Sequence, residues 1–177
     1  MGGQATMPTR TVETGGALSA AEMRELRQRL RDLNDDYGVT LDDWDLEGWT
    51  TFFTEDCTYK AMSAENYSLG LEIADIFCDG IGMVEDRVTA LRKTSEYETR
   101  ALRHITGGLR VKEVGDGIIR AESNFAVFEA LPYREPTLFA MGKYVDEIVE
   151  VGDRLLFRER LAVFDNYQTR TSLIIPL

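Results

Sequence analysis

Residues 109–167 constrain the fold most, because apolar side chains recur there at nearly every second position. The stretches "LRVKEVG", "IIRAESNFAVFEA", "TLFAMGKYVDEIVEVG" and "RLLFRERLAVFDNY" follow one another, separated by Gly-Asp-Gly, a Pro-containing loop and Gly-Asp. A period of two puts alternate side chains on opposite faces of a sheet, whereas a helix repeats near 3.6. Short Gly-Asp connections can join only neighbouring antiparallel strands. The spacing therefore predicts four strands, over 109–115, 118–130, 137–152 and 154–167, folded as an antiparallel meander.

The preceding half reads as helical. Ser19 and Glu22 form a Ser-x-x-Glu capping box, and Leu18 and Met23 occupy the positions of a hydrophobic staple, so a helix starts sharply at this point. Met23, Leu26, Leu30, Leu33 and Tyr37 then line one face at spacings of three and four, and Gly38 is expected to end the helix. A second helical segment carries Trp49, Phe52 and Phe53 as anchors. "TEDCTYKAM" reads as a first strand, with Cys57, Tyr59 and Ala61 alternating with polar neighbours, and a further strand is expected over Leu71 to Phe77. "MVEDRVTALRKTSEY" predicts a third helix with Val84, Val88 and Leu91 on one face. Residues 1–17, small, polar and glycine-rich, are expected to be a disordered tail, since they bury too little to offset the entropy of ordering. The expected fold class is α+β, one domain over 18–177, with helices covering the concave face of a curved antiparallel sheet. Such a shape is a cone, often with a pocket inside.

Composition removes several functions. Hydrophobic residues make up 44% of the 177-residue chain, enough for a core, while a formal charge of -11 has the wrong sign for phosphate backbones or anionic lipid. Neither nucleic acid nor membrane is expected as a partner. No apolar run approaches the ~20 residues that span a bilayer, and no secretion signal opens the chain, so a cytoplasmic location is expected. Cys57 and Cys78 lack Cys-x-x-Cys partners and read as reduced, partly buried thiols.

Local site motifs fail on inspection. "DWDLEG" places Asp43, Asp45, Glu47 and Gly48 as in the first half of a calcium loop, but the twelfth position, which needs a bidentate Glu, is Thr54. "GIGMVED" has neither the third glycine of a dinucleotide turn nor the Lys of a P-loop. His104 is the only histidine in the chain. A Rieske cluster requires two His and mononuclear non-haem iron another two, so this chain can ligate neither. Metal-free acid/base chemistry inside the cone remains open, with His104 paired to Asp56 or Tyr59. The competing reading of His104 is a hydrogen-bonded structural residue at the junction of helix and sheet.

The ordered set "WTTFFTEDCTY", "MVEDRVTALRKTSEY", "RALRHITG", "IRAESNFAVF" and "TSLIIPL", spanning about residues 22–177, resembles the small, or beta, subunits of Rieske-type aromatic-ring-hydroxylating dioxygenases. Within that family it looks nearest to those acting on carboxylated aromatics such as terephthalate. The resemblance implies the cone-shaped fold of nuclear transport factor 2 and scytalone dehydratase. It also implies a non-catalytic, cofactor-free chain in aromatic-compound degradation. Its partners would be copies of itself and an alpha subunit, in a trimer of alpha-beta pairs, with the Rieske 2Fe-2S cluster and mononuclear iron in the alpha subunit. No catalytic residue carries over. Asp86, Arg87, Arg92, Arg103 and His104 then become structural or subunit-contact groups, and the apolar end "LIIPL" needs covering by the sheet or a neighbour. The alternative is a stand-alone dehydratase or isomerase using His104.

Overall fold

The structure, a computed structural model, describes residues 18–93, 100–165, 173 and 175–177. Helix α1 (Ala20–Asp42) and the short α2 (Leu46–Thr50) lead into strand β1 (Phe53–Ser63). Next come α3 (Ala64–Ser68), β2 (Ile76–Asp79) and α4 (Ile81–Lys93). The chain then runs through β3 (Ala101–Gly115), β4 (Ile118–Ala130), β5 (Thr137–Val151) and β6 (Arg154–Phe164). The six strands form one curved sheet in the order β2-β1-β6-β5-β4-β3. Strands β3 to β6 are the expected antiparallel meander, and β1 closes onto β6 in parallel. The α+β class holds, with one addition that local spacing cannot provide: a parallel pair needs a partner remote in sequence.

The capping box opens α1 as expected. Ser19 Oγ accepts from Glu22 N at 3.3 Å, and Glu22 Oε2 accepts from Ser19 N at 2.9 Å. Leu26, Leu30, Leu33 and Tyr37 are buried against the concave sheet face, but the helix does not stop at Gly38; it continues to Asp42. The glycine serves packing instead. A side chain at Gly38 would start 3.0 Å from His104 Cβ, so its absence lets β3 approach the helix axis.

Other boundaries move for similar reasons. Phe52 and Phe53 lie beyond α2, with Phe53 opening β1, because the aromatics are spent on the core and not on a helix face. The strand expected over Leu71 to Phe77 shortens to Ile76–Asp79, and Leu69, Leu71 and Ile73 stand exposed in the connection before it. Strand β3 begins at Ala101, eight residues before the expected start at Leu109. Gly107 and Gly108 are not a boundary; they interrupt the β3–β4 register as a bulge inside one long strand. The third helix is present with Val84, Val88 and Leu91 buried, and its expected last turn over 94–97 lies outside the described residues. The tail expected over 1–17 does too.

Candidate functional site

The space under α1, where a cone would hold a pocket, is occupied by the chain itself. Inward positions on neighbouring strands line up in rows: Ala121, Asp146, Arg160 and Tyr59 form one, and Ser123, Tyr144 and Ala162 the next. Arg160 is fully buried. Its guanidinium carbon lies 3.6 Å from the Tyr144 ring centre and 4.1 Å from those of Tyr37 and Phe157. Such stacking suits a planar, weakly hydrated cation. Nη2 donates to Asn34 Oδ1 at 2.9 Å, and Asn34 in turn donates to the Leu30 carbonyl within α1. Nη1 sits 3.5 Å from Asp146 Oδ2, near enough for Coulomb attraction, without a hydrogen bond to either carboxylate oxygen. Burial therefore outweighs the neighbouring cation and pushes the Asp146 carboxyl up to about 6.

The C-terminal residues close this interior. Leu173, Ile175 and Leu177 are buried. Tyr37 Oη donates to the Leu177 oxygen at 2.9 Å, Tyr59 Oη donates to the same oxygen at 3.3 Å, and Leu177 N donates to Tyr59 Oη at 2.8 Å. The described residues of the apolar end are thus covered by their own cone. The Tyr37 and Tyr59 hydroxyls are spent on main chain, and burial holds both phenols well above their ordinary range. Neither phenol is poised for proton transfer near neutral pH.

His104 does not meet Asp56 or Tyr59, so the acid/base pair envisaged for a dehydratase is not assembled. Asp56 is exposed on β1 near Arg158, and Tyr59 is committed to Leu177. His104 lies within β3, its ring buried, with Nδ1 2.7 Å from Asp42 Oδ1. Both Asp42 oxygens also accept from His104 N at 3.1 Å. The residue joins the sheet to the end of α1, so the helix at this junction is the first one and not the α4 helix that precedes β3 in sequence. Removing the carboxylate would strand two buried nitrogens. Asp42→Ala is expected to lower unfolding free energy by about 2 kcal/mol, against a change within about 0.5 kcal/mol for the exposed Asp56→Ala. Urea titrations of the two variants compare them directly.

The remaining charged candidates are dispersed. Asp86 is exposed and Arg87 half-buried on α4, where Arg87 reaches the Cys78 thiol. Arg103 points to the outer sheet face, opposite its neighbour His104 as strand alternation requires, and donates to the Leu102 carbonyl. Arg92 clasps the helical corner, bonding both Glu47 oxygens and the Trp44 carbonyl. Cys57 and Cys78 are free and buried, and burial raises the Cys57 thiol to about 11. Among the described residues no cluster of three or more His, Cys, Asp or Glu side chains is placed to hold a metal ion. The sequence reading missed Asn34, Tyr144, Asp146 and Arg160. A signal was present: in "YVDEI" the acid falls at the inward position between Tyr144 and Ile148.

With that geometry in place, residues 39–170 match the family described as ring hydroxylating beta subunit, and the chain belongs to that family. The small subunit of anthranilate 1,2-dioxygenase from Burkholderia cepacia is 36% identical over 137 residues, 77% of this chain and 85% of that protein. Subunit beta 1 of the terminal oxygenase component of terephthalate 1,2-dioxygenase from Comamonas sp is 33% identical over 141 residues, 80% and 92% of the two chains. A crystal structure ascribed to the beta subunit of an aromatic-ring-hydroxylating dioxygenase from Novosphingobium aromaticivorans superimposes with a TM-score of 0.80 at 32% identity, covering 88% of this chain and 99% of that one. A protein from the same organism ascribed to the scytalone dehydratases shares the fold alone, with a TM-score of 0.62 at 18% identity. The cone is therefore the nuclear transport factor 2-like fold, as the resemblance implied.

Proposed function

We propose that this chain is the non-catalytic beta subunit of the terminal oxygenase component of an aromatic-ring-hydroxylating dioxygenase acting on carboxylated aromatics. Its residues 18–177 serve as one structural domain. The carrying observation is the filled centre of the cone: Arg160 and Leu177 occupy it, and the Tyr37 and Tyr59 hydroxyls that an acid/base site there would use are committed to main chain. The chemistry then falls to an alpha subunit holding the Rieske cluster and the mononuclear iron, in a cytoplasmic complex. No helix among the described residues is long and apolar enough to cross a membrane.

Subunit contact is best served by the outer sheet face. Ile105, Ala126 and Met141 lie in register across β3, β4 and β5, with Arg103, Phe128 and Leu138 in the adjoining row. Ile105, Phe128, Leu138 and Met141 are each more than two-fifths exposed, an apolar patch that calls for covering. Arg103 borders it, while Asp86 and Arg87 offer a second, charged contact on α4. Copies of the chain packing through the apolar patch would leave the rest of each cone for the alpha subunit, as a trimer of alpha-beta pairs requires. The test is co-expression with the cognate large chain and sizing of the complex. The native pair is expected to co-purify as a coloured hetero-oligomer, while this chain alone is colourless and without turnover. Phe128→Arg with Met141→Glu is expected to reduce the assembly to smaller species with the fold retained by circular dichroism. An unchanged hetero-oligomer would remove the patch from the interface.

A further inference from the structure

A cleft of about 340 Å³ opens between α1 and the bulge in β3, lined from the helix by Arg31, Asn34 and Asp35. We infer that it binds a small aromatic monocarboxylate. The bulge makes the site. The pairing steps from Gly107 opposite Asn124 to Arg110 opposite Glu122, so Gly108 and Leu109 together face the single residue Ser123. Gly108 holds a φ of +65°, a conformation that glycine adopts without cost, so the bulge depends on glycine.

The groups left uncommitted at the cleft decide the ligand. Asn34 has both side-chain atoms engaged, with Leu30 and Arg160, and Asp35 accepts from Thr106 Oγ1 at 2.9 Å. Two remain. Ser123 is 3% exposed and its hydroxyl has no protein partner among the described residues, an arrangement that buried hydroxyls rarely keep. Arg31 stands exposed at the rim, and no ion pair or side-chain hydrogen bond engages it among the described residues. A guanidinium and a hydroxyl together match a carboxylate, whose oxygens accept from both. Asp35 adds a negative charge at the wall, which favours a monoanion over phosphate or a dicarboxylate. Leu109 supplies an apolar contact for a ring, and the absence of side chains at Gly107 and Gly108 leaves room for it. The volume is in the range of small-molecule sites and accommodates a benzoate-sized body.

Sodium benzoate titrated into the purified full-length chain, followed by saturation-transfer NMR, tests this assignment independently of the subunit's role in any complex. Saturable binding is expected, weakened about tenfold or more in Arg31→Glu, which alters an exposed helix position and leaves the fold intact. Ser123→Ala is expected to weaken it several-fold, and benzyl alcohol, which has the ring without the charge, to bind less tightly than benzoate. Absence of saturable benzoate binding, equal affinity in Arg31→Glu, or displacement of benzoate by equimolar inorganic phosphate would each overturn the assignment.

Discussion

Gly142→Ala is expected to prevent stable folding, or to lower the unfolding free energy by about 3 kcal/mol or more, at the upper end for overpacked positions. Gly142 lies in β5 between Phe125 of β4 and Phe164 of β6. A methyl group there would collide with the Val163 carbonyl oxygen and come within 2.8 Å of Phe164 Cα. These are backbone atoms, so no rotamer change relieves the overlap, and the β5–β6 ladder itself would have to part. The displacement would reach the interior, because Tyr144, two residues on, stacks on Phe125 at 4.5 Å and on Arg160 at 3.6 Å. Gly115→Ala is the matched control: it lies in a strand, and nothing approaches the added carbon within 4 Å. Guanidinium denaturation should separate the two variants widely. Coinciding midpoints would mean that β6 yields easily and that the tight approach at Gly142 has no energetic weight.

Much of this architecture is legible in the sequence because it is local. The Ser19 capping box, the α1 stripe, the α4 stripe and the four alternating segments each specify an element without help from elsewhere, and each is present. What the sequence hides is set by contacts remote along the chain. Gly38 reads as a helix end, but it is an interior position emptied to admit His104, whose strand lies some sixty residues further on. The glycine pair at 107–108 reads as a boundary, whereas strand pairing with β4 carries the chain straight through it. The parallel β1–β6 pair leaves no mark in either segment. His104 itself was legible as a residue joining helix to sheet, but its partner could not be chosen from spacing, since Asp42, Asp56 and Tyr59 are all plausible until the fold brings one of them within 2.7 Å. The family was legible from ordered motifs. The interior polar row was not, because a β-bulge at Arg158 shifts the alternation of β6 and disguises Arg160 as an outward residue.

That row carries the second large effect. Asp146 titrates near 3.8 when the chain is unfolded and is raised to about 6 in the folded state, chiefly by burial. Between those values the folded chain holds a proton that the unfolded chain has released, so stability from this group is present below pH 4 and is lost as pH rises through 6. The full difference corresponds to about 3 kcal/mol at most. Asp146→Asn fixes the neutral form and is expected to behave at pH 7.5 as the native chain does below pH 4, with the fall in stability between pH 4 and 6 flattened. Arg160→Leu acts in the opposite sense. It removes the cation that partly compensates Asp146, empties the cage of Tyr37, Tyr144 and Phe157, and strands Asn34 Oδ1. A loss of about 3–5 kcal/mol is expected at pH 7.5, where the carboxylate is left buried and alone, and less at pH 5, where it is neutral. Adding Asp146→Asn to Arg160→Leu should then restore part of the loss at pH 7.5 and little at pH 5. Equal losses for Arg160→Leu at both pH values would show that the arginine stabilises the cone through its stacking and its bond to Asn34, with no contribution from the carboxylate.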